Sequence, residues 1–253
     1  MVSPVVHDHG FGQDAATPTG SFTISLANVA SGDMIILQFN SINTHNAYSD
    51  ISSITGIGGT WTRRTQQQFQ FSTASSDKVN TEVWWNNTPS STGTVTITVN
   101  YNLNGMTSVD SACAKAFRVT GCNSASPWDS NVNLPAVAIN NTGTPSTLTN
   151  QVSTSFADDL ILALHYNQSS STGTSVPTWS PGTFTLLDNS NDTHGAWGCY
   201  GYNATDSVSA TQSNVTVTDG VSKVHEIFMI DAVTADSSAP PPPPTVTVVI
   251  CQG

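Results

Sequence analysis

The sequence has few charged side chains, and very few of them are cationic. Charged residues make up 9% of the 253 residues, and six lysines and arginines stand against 17 acidic residues, which gives a net charge of −11. Phosphate neutralisation and attraction to anionic lipid both need positive charge, so nucleic acid and membrane surfaces are excluded as partners. No stretch approaches the roughly 20 apolar residues of a membrane-spanning helix.

Cysteine is also scarce. The four cysteines are Cys113, Cys122, Cys199 and Cys251. They are too few and too irregularly spaced for a disulfide scaffold, and no Cys-x-x-Cys pair indicates zinc. We expect most of them to be free or buried thiols.

The N-terminal sequence MVSPVVHDHGFGQDAA lacks the cationic and apolar regions of a signal peptide. Serine, threonine and asparagine nevertheless supply most of the polarity, which is typical of extracellular and particle-surface proteins. A phage structural protein satisfies both observations, because it is made without a signal and is released by lysis. The sequence therefore predicts a virion-surface or extracellular location.

Five short motifs of the first half recur in the same order in the second half. The first set is SGDMIILQFNS (31–41), GTWTRRT (59–65), EVWWNNT (82–88), TVTITV (94–99) and KAFRVTG (115–121). The second set is ADDLILALHYN (157–167), GTFTLLD (182–188), CYGYNAT (199–205), NVTVTD (214–219) and HEIFMIDAV (225–233). A shared order of five motifs indicates an internal duplication of a unit of roughly 100 residues.

Each unit has the pattern of an all-β structure. FTISLAN (22–28) alternates apolar and polar residues, and DMIILQF (33–39) is a continuous apolar run typical of a strand that is covered on both faces. Glycine, asparagine and proline mark turns at short intervals. Only SVDSACAKAF (108–117) approaches a helical period, and it fits a strand equally well. The sequence predicts an antiparallel β-sandwich, jelly-roll or immunoglobulin-like, that is internally duplicated.

These patterns divide the chain into five segments. We expect a solvated N-terminal arm, a first sandwich unit, a proline- and asparagine-rich connector, a second sandwich unit, and a proline-rich linker with a C-terminal strand. Their bounds are 1–20, 21–121, 122–146, 147–235 and 236–253. The two units are expected to superimpose.

The order of these motifs resembles a family of bacterial and phage-encoded β-sandwich proteins found in secreted, cell-surface and virion-associated contexts. The matching stretches are Gly32-Asp33, Ser52 to Trp61, Val83 to Asn86, Gly93 to Val99, Phe117 to Gly121, Ser126 to Asp129 and Asp158 to Leu164. These motifs are structural signatures, so the resemblance implies a fold and a setting rather than an activity.

Two stretches contain side chains that bind metals in other proteins. In HDHG (7–10), His7 and His9 point the same way on a strand, but no third ligand can be assigned. DNSNDTHG (188–195) begins like a calcium loop, but its sixth position is Thr193 and its twelfth is Cys199, where glycine and glutamate are required. We expect a solvated arm and a polar hairpin loop, and no metal or other cofactor.

No set of acid, base and nucleophile can be assembled from the sequence. No Gly-x-Ser-x-Gly motif occurs, and His165 and His225 lie in apolar strand patterns, where structural histidines are common. Asp158 and Asp159 align with the turn before the equivalent strand of the first unit. We expect the protein not to be an enzyme.

Aromatic residues offer a different kind of site. Trp84 and Trp85 are neighbours on a predicted strand, so they face opposite sides, and one ring is expected in the core and the other exposed or at an interface. An exposed ring would suit contact with a glycan. Further aromatic candidates are Trp61, Trp128, Trp179, Trp197 and Tyr48. Core packing is the alternative role for each of them.

The C-terminal segment has the pattern of a strand held on a spacer. Five prolines, Pro240–Pro244, favour an extended polyproline II rod. The alternating residues Thr245, Val246, Thr247, Val248, Val249 and Ile250 follow. We expect this strand to pair with an edge of another subunit, and the alternative is an unstructured linker.

The sequence therefore favours a structural protein of a particle surface, such as a phage head-decoration, tail or fibre component. Its expected partners are other virion or filament subunits, including copies of itself. One alternative is a secreted carbohydrate-binding or adhesin module that binds glycans through exposed aromatic residues. Another is a subunit of an extracellular filament assembled by strand exchange.

Overall fold

The computed structural model consists of β-strands and their connections. It describes residues 3–15, 18–45, 47–70, 77–107, 110–140, 147–156, 158–168, 178–180, 185–191, 196–203, 213–218 and 225–236. No helix occurs among these residues, so none there is long and apolar enough to cross a membrane.

Among the described residues, each half of the chain contributes eight strands. The first eight are β1 (Val5–Ala15), β2 (Ser21–Val29), β3 (Met34–Asn43), β4 (Ile51–Thr55), β5 (Thr62–Gln70), β6 (Lys78–Asn86), β7 (Gly93–Tyr101) and β8 (Ser111–Thr120). The second eight are β9 (Ala136–Asn140), β10 (Thr147–Val152), β11 (Leu160–Gln168), β12 (Thr178–Ser180), β13 (Thr185–Asn191), β14 (Ala196–Asn203), β15 (Ser213–Thr218) and β16 (His225–Val233).

Both halves have the same strand order. The first half forms a five-stranded sheet, β1-β8-β3-β6-β5, and a three-stranded sheet, β2-β7-β4. The second half forms β9-β16-β11-β14-β13 and β10-β15-β12, which is the same pair of sheets with every strand number raised by eight. The strand pairs are antiparallel, so the predicted all-β antiparallel sandwich is confirmed. The five repeated motifs fall on matching strands: β3 and β11, β5 and β13, β6 and β14, β7 and β15, β8 and β16.

The four sheets are stacked in layers around three apolar cores. The first-unit core, which includes Ile24, Leu37 and Ile97, lies between the two sheets of the first half. The second-unit core, which includes Val217 and Phe228, lies between the two sheets of the second half. The central core joins the two five-stranded sheets and includes Ile36, Phe69, Phe117, Leu162 and Met229.

The apolar patterns of the sequence follow from this layering. β2 lies in an outer sheet, and its residues alternate between exposed and buried from Ser21 to Leu26. β3 lies in an inner sheet with a core on each face, and all ten of its residues are buried. The continuous apolar run and the alternating run therefore mark an inner and an outer layer, as predicted.

Two strands occupy segments that were not expected to be strands. β1 lies within the predicted N-terminal arm and pairs with β8, and β9 lies within the predicted connector and pairs with β16. Each is an outer strand of a five-stranded sheet. Residues 5–15 are therefore not a solvated arm.

Close contact between β1 and β2 closes one side of the first sandwich. A Cβ atom on Gly10 would lie 2.0 Å from the carbonyl oxygen of Ser25, and one on Gly12 would lie 2.4 Å from that of Thr23. Real Cβ atoms do not approach backbone oxygens so closely, so the two glycines are required where the strands meet.

We expect Gly10→Ala to lower the free energy of unfolding by about 1–3 kcal/mol, because the new methyl group must push β1 away from β2. Urea denaturation followed by tryptophan fluorescence measures this change. Gln13→Ala is the control, since Gln13 is exposed on the same strand. Equal stability of the two variants would contradict the close approach.

Candidate interaction site

The outer edge of β5 is an open sheet edge. β5 is the last strand of its sheet, and within the described residues nothing pairs with its outer side. Its sequence, TRRTQQQFQ, contains neither the proline nor the lysine that protects many edge strands. Gln68 and Gln70 are exposed, whereas Phe69 is buried in the central core. The outer strand of a sheet can accept a further strand where its backbone is unpaired.

β9 of the second unit lies near the start of this edge and presents apolar side chains. Arg64 on β5 approaches the carbonyl oxygen of Leu134, just before β9, with a distance of 3.5 Å from its Nη2. Val137 packs against the central core, and the alternation of β9 places Ile139 on the same face. Ile139 is 42% exposed, one of the few large apolar residues that are.

A buried ion pair connects β5 to the second unit. Arg64 Nε donates to Asp231 Oδ2 at 2.9 Å, and its Nη2 donates to Oδ1 at 3.0 Å. Both groups are largely buried, and the guanidinium lies 5.1 Å from the centroid of the Trp128 ring. Burial raises the pKa of Asp231, and the Arg64 charge opposes that shift. The bidentate pair fixes the start of β5 against the second unit.

A second carboxylate at this junction organises the loop after the first unit. The backbone amides of Asn131 and Ser155 donate to Asp129 at 2.6 Å each, and the Ser155 hydroxyl donates at 2.9 Å. Burial acts to raise the pKa of Asp129, but these hydrogen bonds and one from Asp159 hold it below its usual value. Asp159, which the sequence placed in a turn before a strand, accepts from the amide of Ala235 at 3.2 Å.

A groove of about 280 Å³ lies beside the same junction. Apolar atoms provide most of its surface, and its lining residues include Trp128, Phe156, Asn123 and Ser130. Phe156 is 49% exposed, whereas Trp128 is almost fully buried. Such a groove suits a small ligand with an apolar face and a few polar groups.

The structure places the predicted tryptophan pair on opposite faces of β6. Trp84 packs against the first-unit core and Trp85 against the central core. Each ring is partly buried, because a core covers each face of this sheet. Trp84 Nε1 donates to Glu82 at 2.8 Å, and the Arg63 guanidinium lies 5.8 Å from the Trp84 ring centroid. Glycan contact by either ring stays a prediction.

The two metal-like stretches lie on different strands, HDHG on β1 and the start of DNSNDTHG on β13. A β-bulge falls between Val6 and His9, so the simple alternation assumed for His7 and His9 is interrupted. His7 instead bonds the Thr120 hydroxyl at 2.8 Å. Asp188 and Ser190 lie within β13, and the rest of DNSNDTHG lies outside the described residues. No group of three metal-ligating side chains occurs in the part of the chain that the structure describes.

The buried reactive groups belong to the packed interior. Cys113 and Cys122 are buried thiols, as expected, and burial raises the pKa of Cys122 to about 11. His165 and Glu226 are almost fully buried on neighbouring strands, and each takes part in an interaction within the protein. His225 lies at the start of β16.

The predicted assembly strand, Thr245 to Ile250, lies outside the described residues, as do Cys251 and the proline run. The last described residue, Asp236, is held by a hydrogen bond from its amide to the carbonyl oxygen of Gly121 at 2.8 Å. The described part of the chain therefore ends beside Gly121, just after the first unit.

Sequence reasoning did not find the β5 edge or the Arg64–Asp231 pair. The edge left no distinctive signal, because the order of strands in a sheet depends on pairing between residues distant in the chain. The ion pair left no signal, since its residues are 167 positions apart. Comparison with family models, curated proteins and solved structures gave no match.

Proposed function

We propose that the protein is a non-enzymatic structural subunit of a particle surface, such as a phage head-decoration, tail or fibre component, that assembles through its open sheet edge. The observation that carries this proposal is the position of β5 at the end of its sheet, with no described strand on its outer side. The strand is nine residues long and lacks proline and lysine. The scarcity of charge favours the same role, because it allows close packing of subunits without burial of unpaired ions.

The test removes the edge as a hydrogen-bonding partner. Successive amides of a strand point to opposite sides, so one of Gln67→Pro and Gln68→Pro removes an amide that faces outward and leaves the pairing with β6 intact. The variant that retains the melting temperature of the wild type is the one to use. Gln68→Ala is the control, because it shortens an exposed side chain of the same strand but keeps every backbone amide.

Sedimentation velocity over a range of protein concentrations measures the assembly. We expect the wild type and Gln68→Ala to form oligomers and the edge-blocking proline variant to remain monomeric. Oligomers of unchanged size in the proline variant would contradict assembly through β5.

The groove beside Trp128 favours a second function, the binding of a carbohydrate. An exposed aromatic ring next to amide and hydroxyl groups, here Phe156 with Asn123 and Ser130, is an arrangement that can stack on a sugar ring and bond its hydroxyls. Glycan-array binding that is lost in Phe156→Ala would support this function. An array without binding would leave assembly as the only proposed function.

A further inference from the structure

We propose that the groove beside Trp128 binds a single neutral sugar ring that carries an N-acetyl group, and that the Trp128 indole N–H and the Thr234 hydroxyl bond the oxygen atoms of this ligand. This inference rests on the proposed carbohydrate-binding function, because it names the class of sugar that the groove takes. Four properties of the groove support it: its backbone frame, its unpartnered polar groups, its apolar surface and its lack of charge.

The segments that follow β8 and β16 pair with each other and form the frame of the groove. Trp128 and Val233 form an antiparallel bridge. The amide of Asn123 donates to the carbonyl oxygen of Thr234 at 2.9 Å, and the amide of Thr234 donates to that of Pro127 at 2.9 Å. Backbone hydrogen bonds therefore hold three lining residues in place before a ligand binds, which lowers the entropy cost of binding.

Two polar side-chain atoms of residues that line the groove have no hydrogen-bond partner. They are Trp128 Nε1 and Thr234 Oγ1, and the two residues are only 9% and 8% exposed. Nearly all buried polar groups in native proteins have a partner, because burial without one is costly. Two such groups at one groove indicate that a ligand supplies the partners.

The chemistry of these two groups favours an N-acetyl group on the ligand. An indole N–H of Trp128 is a donor only, so its partner must be an acceptor. The carbonyl oxygen of an N-acetyl group is such an acceptor and carries no hydrogen, whereas a sugar hydroxyl brings a hydrogen that needs a partner of its own. Both protein atoms are closed off from solvent, so binding includes a rotation that turns them toward the ligand. A hydrogen bond formed there, away from water, is stronger than an exposed one.

The size and surface of the groove suit the apolar parts of the same ligand. Apolar atoms provide most of the surface, and the ring of Phe156 is half exposed there. The C–H face of a sugar ring can pack on an aromatic ring, and the acetyl methyl group adds further apolar contact. The volume of about 280 Å³ is slightly below the range of roughly 300–1,000 Å³ for small-molecule sites. The groove therefore takes one sugar ring rather than a longer chain.

Asn123 and Ser130 supply polar groups for the sugar hydroxyls. The side-chain oxygen of Asn123 accepts from the backbone amides of Ala125 and Ser126 at 3.0 and 3.2 Å. These bonds fix the side chain, and its NH2 group is the part that can donate to a ligand. The Ser130 hydroxyl lies 3.3 Å from that of Ser155 and can both donate and accept.

Charge favours a neutral sugar over an acidic one. The described residues that line the groove include no charged side chain. Asp129 follows Trp128 in the chain and Asp236 follows Ala235, and the protein has a net charge of −11. These carboxylates repel an anionic ligand.

Titration of the full chain with two probes tests the inference. The probes are the methyl glycosides of N-acetylglucosamine and of glucose, which differ only in the N-acetyl group. With tryptophan labelled at the indole nitrogen, the six tryptophans give separate NMR signals, and the signal missing from Trp128→Phe belongs to Trp128. We expect the acetylated probe to shift the Trp128 signal most, and to bind about tenfold or more tightly than the glucose probe.

Thr234→Val separates a role in binding from a role in folding. The substitution removes the hydroxyl and keeps the size of the side chain. We expect the melting temperature to stay the same or rise, because a buried polar atom without a partner is lost, and the affinity for the acetylated probe to fall about tenfold. Thr234→Ser keeps the hydroxyl and should bind as the wild type does. Unchanged affinity in Thr234→Val would overturn the role of Thr234.

The outcomes distinguish the inference from the function on which it rests. If the two probes bind equally, or if the acetylated probe shifts a different indole signal, the inference is wrong and carbohydrate binding stands. If neither probe binds, the inference is wrong, and an empty glycan array shows that the carbohydrate-binding function is wrong as well. Assembly through β5 is tested separately by sedimentation velocity.

Discussion

Replacing Arg64 with alanine is expected to lower the free energy of unfolding by about 3–5 kcal/mol, because the substitution leaves the carboxylate of Asp231 buried without its counter-ion. Asp231 is 2% exposed, and Arg64 supplies both hydrogen bonds that reach it from another strand. The loss also removes the contact between the guanidinium and Trp128. Denaturant unfolding at neutral pH measures the change.

The neighbouring Arg63 provides a matched control. Its side chain is 45% exposed and lies 3.7 Å from Glu82, so Arg63→Ala is expected to cost about 1 kcal/mol or less. Equal losses in the two variants would show that the buried pair contributes no more than the exposed one.

The loss in free energy of unfolding caused by Arg64→Ala should also depend on pH. Burial raises the pKa of Asp231 even beside Arg64, and removal of the arginine raises it further. In the variant, the folded state therefore binds a proton more tightly than the unfolded state does. Folding is favoured as the pH falls through the raised pKa of Asp231, and it is disfavoured as the pH rises. We expect the loss to shrink toward acid pH; a loss independent of pH would contradict the explanation through a buried carboxylate.

Phe39→Ala is expected to cost about 3–5 kcal/mol, because it creates a cavity in the first-unit core. Phe39 is fully buried, and its ring centroid lies 6.5 Å from that of Phe22 and 5.7 Å from that of Tyr101. Thermal and urea unfolding measure the loss.

Phe156→Ala removes the same number of atoms from a half-exposed site, and we expect a change of about 0.5 kcal/mol. This control separates the effect of the cavity from that of the lost aromatic ring. A loss below about 1 kcal/mol in Phe39→Ala would mean that the core refills the space.

The fold class could be predicted because the burial of a strand determines the pattern of apolar and polar residues along it. The residues from Ser21 to Leu26 alternate because only one face of β2 is covered. The residues from Met34 to Phe39 are all buried because both faces of β3 are covered. The repeated motifs predicted that the halves would be alike, and they have the same strand order. Superposition of the two units stays a prediction.

β1 and β9 were missed for physical reasons. β1 contains Gly10 and Gly12, which have low strand propensity, and their role becomes evident only from the approach of β2. β9 has five residues between a proline-rich stretch and the next loop. Its pairing with β16 joins residues about 90 positions apart.

The candidate site was predicted only in part. The alternating pattern from Thr245 to Ile250 indicated an assembly strand, but nothing in the sequence identified its acceptor. The position of β5 at the end of its sheet depends on pairing between residues distant in the chain, and so does the contact of Arg64 with Asp231. Trp84 and Trp85 alternate as predicted, yet the second core on the other side of the sheet leaves neither ring fully exposed.

The central core also has a consequence for the order of events during synthesis. Its first-half residues, among them Ile36 and Phe117, are translated before their partners Leu162 and Met229. At about 5–20 residues per second, the ribosome needs several seconds to add the missing half. During that interval the first five-stranded sheet has one wide apolar face in water. Nascent chains that stall in the second half are therefore expected to need a chaperone, whereas chains stalled before β8 cannot yet form that sheet.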